Sequence, residues 1–293
     1  MEIKCKNQYE GNGFAIYNGD SCEVMKAIPD NSIHYSIFSP PFAQLYVYSN
    51  SVRDLGNCRS TTEFYEQFEY IIKELYRITM SGRLVSIHCM DLPTQKQRDG
   101  FIGLTDFPGE LIQMMIAGGF IYHSRVTIWK DPVVAMQRTK ALGLLHKQIK
   151  KDSSMCRQGI ADYIITFRKL GENPEKISHT NETFPVDKWQ EYASPVWMDI
   201  NQSNTLQKES AREQKDEKHI CPLQLDVIER CIELWTNPND IVFTPFAGIG
   251  SEVYQALKMG RRGLGIELKE SYYTQAVANC KGVESMAKMK KLF

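Results

Sequence analysis

Apolar residues recur along this chain in two rhythms. Short continuous runs, at Ile33–Phe38, at residues 84–89 and from Ile241 to Phe243, are bounded by turn-forming residues and predict buried strands. A spacing of three and four residues in Phe64, Phe68, Ile71, Ile72 and Leu75 predicts a helix whose inner face these residues form, opened by a Ser60-Thr-Thr-Glu63 capping box. Leu223, Val227, Ile228, Cys231 and Trp235 repeat that spacing, with Pro222 as the first helical residue, where a missing N–H costs nothing. Residues 18–28 read as a short helical entry, 43–59 as a long loop, and 109–117 as a helix stopped by Gly118-Gly119. Residues 120–130 and 162–168 read as an antiparallel strand pair at one edge of the sheet, and 251–259 as a helix. Residues 170–217 break the alternation and read as an irregular insertion with isolated aromatics at Trp189, Tyr192 and Trp197. Trp197-Met-Asp199 reads equally as buried anchors or as part of a binding surface.

Composition alters this picture only slightly. The 293 residues suffice for one large domain with an insertion or for two domains, and 42% apolar residues suffice for a core. Eight cysteines are scattered without C-x-x-C or Cys/His spacing, so neither a disulfide frame nor a zinc site is indicated. No apolar stretch has membrane-spanning length and the first residues lack the apolar centre of a signal peptide, so a cytoplasmic enzyme is expected. Net charge is zero, but residues 130–169 hold nine basic residues against three acids. This excess of six makes the stretch a candidate phosphate-contacting surface, through Arg138, Lys140, Lys147, Lys150, Lys151 and Arg157.

Two motifs carry chemistry. Ser39-Pro40-Pro41-Phe42 directly follows the strand at 33–38. Consecutive prolines remove backbone donors, leaving carbonyls able to accept from an NH2 group, and Phe42 supplies a face on which a planar ring can stack. Far downstream, strand 241–244 runs into Pro245-Phe-Ala-Gly248-Ile-Gly250, then a helix, then Arg262-Gly-Leu-Gly-Ile-Glu267. Glycines allow close backbone approach, and an acid ending the next strand can accept from both hydroxyls of a ribose. The loop lacks a P-loop lysine and the complete G-x-G-x-x-G pattern, which favours a nucleoside without phosphates.

P-F-A-G-I-G followed by G-I-E resembles the S-adenosylmethionine loop of amino-methylating DNA methyltransferases, and S-P-P-F resembles their catalytic tetrapeptide. With the tetrapeptide first and the cofactor loop last, the order is similar to that of the circularly permuted β class. Gly19-Asp20 and Lys218-His-Ile-Cys-Pro222-Leu extend the resemblance over roughly residues 14–280. Thr244 departs from it, since an Asp often stands there.

The resemblance implies an α/β, Rossmann-like S-adenosylmethionine-dependent methyltransferase fold: a mixed, mainly parallel sheet with a reversed edge hairpin, plus a DNA-recognition insertion. It divides the chain into a catalytic half at 1–130, an insertion at 131–217 and a cofactor-binding half at 218–293. It implies catalytic Ser39, Pro40, Pro41 and Phe42, and cofactor contacts from Asp20, Pro222, Phe246, Gly248, Gly250, Ser251 and Glu267. It further implies double-stranded DNA as partner, and leaves open a cognate restriction endonuclease and a homodimer, in a bacterial or phage-infected cell. Tyr46 and Tyr48 are placed to touch a flipped base. The Ser-led tetrapeptide favours N4-methylcytosine as product, with N6-methyladenine as the alternative. An RNA amine methyltransferase and an inactive DNA-binding subunit stand as further readings. No Pro-Cys dipeptide is present, which disfavours carbon-5 methylation.

Overall fold

A computed structural model describes residues 3–41, 58, 61–94, 96–139, 142–206 and 222–290. The chain opens with a hairpin, β1 (Asn7–Gly11) and β2 (Phe14–Asn18), then helix α1 (Ser21–Met25) and β3 (Ile33–Phe38). Helix α2 (Thr61–Ile78) runs straight into the long β4 (Thr79–Met90). A small excursion, β5 (Leu92–Pro93), α3 (Lys96–Asp99) and β6 (Leu104–Thr105), precedes α4 (Phe107–Ala117) and β7 (Phe120–Ile128). Helices α5 (Pro132–Thr139) and α6 (His146–Ile149) separate β7 from β8 (Asp162–Lys169), and α7 (Val186–Tyr192) and β9 (Val196–Trp197) follow. The chain ends through α8 (Leu225–Trp235), β10 (Ile241–Thr244), α9 (Ser251–Lys258), β11 (Arg262–Glu267) and α10 (Glu270–Lys290).

Among the described residues one nine-stranded sheet dominates, in the order β1-β2-β11-β10-β3-β4-β8-β7-β9. Its centre, β2 to β4, is parallel; β8 runs antiparallel to both β4 and β7. The expected mixed sheet with a reversed strand pair is therefore present, although β9 and not β7 forms the outermost edge. Buried residues of α1, α2 and α4 cover one face, and those of α8, with α9 and α10, cover the other. Phe64, Phe68, Ile71, Ile72 and Leu75 all lie in the first of these cores, as their spacing predicts.

Sheet order places the functional loops. From β3 the chain crosses through α2 to β4 on one side, and from β10 it crosses through α9 to β11 on the other. The path diverges between β3 and β10, so their C-terminal ends open a crevice at which no crossover passes.

Three expectations need correction, and one left open is decided. Residues 18–28 are not one helical entry: Asn18 ends β2, because its side-chain amide donates to Glu267 O at 2.9 Å and Leu268 O at 3.1 Å, and the helix begins only after Asp20 caps it. Pro222 is not the first helical residue of α8. Gln224 is extended and Leu225 N donates to Asn204 O at 2.8 Å, so the chain is engaged elsewhere until Leu225. The segment after β8 is not wholly irregular, since α7 and β9 form within it. Trp197 is a buried anchor, whereas Met198 beside it is 67% exposed.

Candidate active site at the β3/β10 seam

The glycine loop is tied to its surroundings residue by residue. Pro245 O accepts from Ser21 Oγ at 2.5 Å, Ala247 N donates to Ile266 O at 2.8 Å, and Asn279 Nδ2 donates to Ile249 O at 2.9 Å. Gly248 has φ 51° and Gly250 φ 88°, the left-handed region that favours glycine. A Cβ on Gly250 would come within 3.0 Å of Ala276 Cβ, so α10 packs directly against the loop. Among the described residues a Cβ on Gly248 would meet nothing within 4 Å. Among these residues the loop therefore presents bare backbone at Gly248.

Glu267 closes this cradle from the end of β11. Its two carboxylate oxygens accept from Gly248 N and Lys269 N, each at 2.8 Å, which fixes the carboxylate beside the loop. Gly19 N donates to Glu267 O at 3.0 Å and Asp20 caps α1 by accepting from Cys22 N, so Asp20 enters the same corner. Phe246 packs edge-on against Phe38, the residue before Ser39, with ring centroids 5.7 Å apart. Asp20, Phe246, Gly248 and Glu267 thus meet at the C-terminal ends of β10 and β11, where Phe246 reaches the end of β3, and Gly250 and Ser251 lead from the same loop into α9. Pro222 lies before α8, and its neighbour Leu223 is buried with Val242 beneath β10. Thr244, where an Asp was expected, is fully buried and its hydroxyl accepts from Phe246 N at 3.4 Å. An open backbone cradle flanked by an oriented carboxylate and an aromatic ring fits the nucleoside part of S-adenosylmethionine.

On the β3 side, Ser39 and Pro41 are half-buried and Pro40 is buried; Phe42, Tyr46 and Tyr48 lie outside the described residues. Ser39 Oγ lies 2.9 Å from His88 Nδ1. His88 Nε2 lies 3.2 Å from Asp162 Oδ2, and Asp162 Oδ1 pairs with Lys130 Nζ at 2.5 Å. Burial would raise the Asp162 carboxyl, but His88 and Lys130 outweigh it and hold the group below the ordinary carboxylate value. The row follows from sheet order, because Ser39, His88, Asp162 and Lys130 stand at the ends of the neighbouring strands β3, β4, β8 and β7. Sequence reasoning missed His88 and read Lys130 and Asp162 only as part of the charge balance of the basic stretch. A histidine in the apolar run 84–89 was the available signal, since a buried polar side chain requires a partner.

The basic stretch is divided by the fold. Lys130 belongs to the row above; Arg168 donates to Gly171 O at 3.0 Å, and the buried Lys169 donates to Thr79 O at 2.7 Å and Asn31 Oδ1 at 2.8 Å. These three therefore leave the surface count. Lys147, Lys150 and Lys151 are exposed, Arg157 is half-buried against Gly143, Arg138 lies in α5, and Lys140 lies outside the described residues. A cavity of about 300 Å³ lies between β7, α7 and α8, lined by Arg125, Trp189, Tyr192, Trp197 and Trp235 among others. Its lining includes neither Ser39 nor the glycine loop.

One cluster of ligand-type groups, His34, Glu175 and Asp240, occurs elsewhere among the described residues. His34 Nδ1 accepts from Ile241 N at 3.2 Å, so a neutral ring carries its proton on Nε2, facing Glu175 at 3.2 Å and Asp240 at 3.6 Å. That arrangement suits a donor to carboxylates and not a metal ligand.

The sequence model of a family described as DNA methylase matches residues 33–278. The type II methyltransferase M.BglII of Bacillus subtilis is 24% identical over 88% of this chain, which spans 66% of that protein's length. The PvuII DNA methyltransferase, whose structure is described as cytosine-N4-specific, superposes with a TM-score of 0.68 at 16% identity, covering 94% of this chain and 92% of its own. A protein of Thermus thermophilus described as a putative DNA modification methylase, in complex with S-adenosyl-L-methionine, superposes with a TM-score of 0.67 at 21% identity, covering 92% and 93%.

Proposed function

The chain belongs to the DNA methylase family and is an S-adenosylmethionine-dependent DNA methyltransferase, and from that premise we propose that it methylates the N4 amine of a cytosine flipped out of double-stranded DNA. The observation that carries the cytosine reading is Ser39 at the head of the tetrapeptide, its hydroxyl held by His88 at the open end of β3. A hydroxyl is short and neutral and meets an amine close to the strand end; an acid or amide there reaches farther, toward a purine amine.

When bound, S-adenosylmethionine supplies the methyl carbon as an electrophile and keeps the electron pair of the broken C–S bond on sulfur, so the amine that takes the carbon gains a positive charge and a surplus proton. An aromatic amine is a poor nucleophile because its lone pair is delocalised into the ring. The task of the residues is therefore positioning. Ser39 Oγ and the Pro40 carbonyl accept from the two amine hydrogens and favour a pyramidal nitrogen, while Phe42 stacks on the base. Glu267, Asp20, Phe246 and the backbone of Gly248, Gly250 and Ser251 hold the nucleoside end, with Pro222 behind them. Extruding the base costs a few kcal/mol, which contacts to the rest of the duplex must offset. Lys147, Lys150 and Lys151, with Arg138, Lys140 and Arg157, belong to that duplex surface, within the insertion at 131–217.

The deciding experiment is incubation with methyl-labelled S-adenosylmethionine and duplex DNA, followed by digestion to nucleosides. Label in N4-methylcytosine supports the reading. Label in N6-methyladenine overturns the choice of base and leaves the amine chemistry standing.

A further inference from the structure

Methylating an amine leaves one proton to be removed, and the Ser39, His88, Asp162 and Lys130 row offers it a path. Resting on the amine-methylation reading, we propose that His88 is a positioning residue that accepts this proton through Ser39, with Asp162 and Lys130 fixing the imidazole in the Nε2–H tautomer.

The tautomer follows from the contacts. Asp162 is 2% exposed, and Lys130 pairs with its other oxygen at 2.5 Å. An ionised carboxylate only accepts, so it favours a proton on the ring nitrogen 3.2 Å away, although that contact lies off the line of a hydrogen bond. In a neutral ring Nδ1 then holds a lone pair, and the Ser39 hydroxyl donates to it across 2.9 Å. With its hydrogen committed to His88, Ser39 Oγ turns its lone pairs outward, toward the position of the target amine.

As the N–C bond forms, a proton passes from the amine nitrogen to Ser39 Oγ while the original Ser39 proton passes to His88 Nδ1. The base ends neutral, Ser39 is regenerated, and the imidazolium faces the Asp162 carboxylate. His88 returns its proton to solvent between turnovers. No oxidant, metal or covalent enzyme intermediate enters the balance. The constellation uses the residue types of a hydrolytic triad, with the two ring nitrogens exchanged, for a different end, since the serine oxygen receives a proton and attacks nothing.

Two measurements test this. Long-range 1H–15N correlation spectra of 15N-histidine-labelled protein, with His88 assigned by the signal lost in His88→Gln, read the tautomer directly without turnover. A neutral ring protonated at Nε2 is expected; protonation at Nδ1, which would make Ser39 the acceptor, overturns the proposal. In single-turnover methylation, His88→Asn places an amide oxygen near the Nδ1 position, able to orient Ser39 but not to take a proton. Its rate should fall about 100-fold, the lower range for positioned acid–base groups, with cofactor and DNA affinity within twofold of the parent. A parent-like rate with a methylated amine as product refutes the relay and spares the reading. A parent product methylated anywhere but an exocyclic amine refutes the reading itself. Should His88→Asn fail to fold, the parent tautomer decides alone.

Discussion

Ser39 and Glu267 are both oriented by the protein's own hydrogen bonds, and substitution at either therefore alters a neighbour as well as the ligand contact proposed for it. Ser39→Ala removes the acceptor proposed for the amine and leaves His88 Nδ1 without its partner. The methylation rate should fall about 10- to 100-fold, with S-adenosylmethionine affinity unchanged by calorimetry. Retained rate would place the amine elsewhere. Glu267→Gln turns a donor toward one of the amides of Gly248 and Lys269. Cofactor binding should weaken by about 1–3 kcal/mol, and undiminished affinity would remove Glu267 from the site. At this scale the glycine loop was legible in the sequence because a tight loop needs particular residues at adjacent positions. His88 and Asp162 were not, because they meet only when β4 and β8 lie side by side, and strand order is not written in local spacing.

Helix α9 places a fully buried carboxyl, Glu252, in its first turn. Burial pushes this group up from an ordinary glutamate value of 4.5 to about 8, and the nearby Glu267 adds to the rise. Between those values the folded protein holds more protons than the unfolded chain, so stability is fully present below about pH 4.5 and declines as pH rises toward 8. Glu252→Gln should flatten that decline in denaturation midpoints measured from pH 5 to 8. An unaltered slope would show that Glu252 is not its source. The pairing of β9 with β7 depends on Trp197, whose Nε1 donates to Tyr192 O at 3.2 Å and whose ring lies under Arg230 at 5.2 Å. Trp197→Ala should cost about 3–5 kcal/mol in urea unfolding, whereas Trp189→Ala, at a residue 56% exposed, should shift stability by less than about 0.5 kcal/mol. Helix α7 and strand β9 escaped sequence reasoning for this reason: their anchor reaches α8, and a two-residue strand carries no periodicity.

Across the whole molecule, a neutral chain places exposed Lys147, Lys150 and Lys151 in the segment that leaves β7 and returns to β8. If Lys150 and Lys151 each meet a phosphate, the Lys150→Gln/Lys151→Gln pair should lower the slope of log affinity against log salt by about 1.8. An identical slope would mark them as a solvated face. The neck of this segment has a wider consequence. Ile128 and Asp162 pair across neighbouring strands, and Lys130 clasps Asp162 just outside. The segment thus starts and finishes about 4.8 Å apart whatever lies between, and doubling the length of a flexible loop adds only about 0.6 kcal/mol of closure cost. Variation in that segment can accumulate, shrink or be exchanged between relatives without moving His88 or Asp162. On the proposed reading of this segment as the duplex-facing surface, inheritance can rewrite which DNA sequences are met while the machinery that modifies them stays as it is.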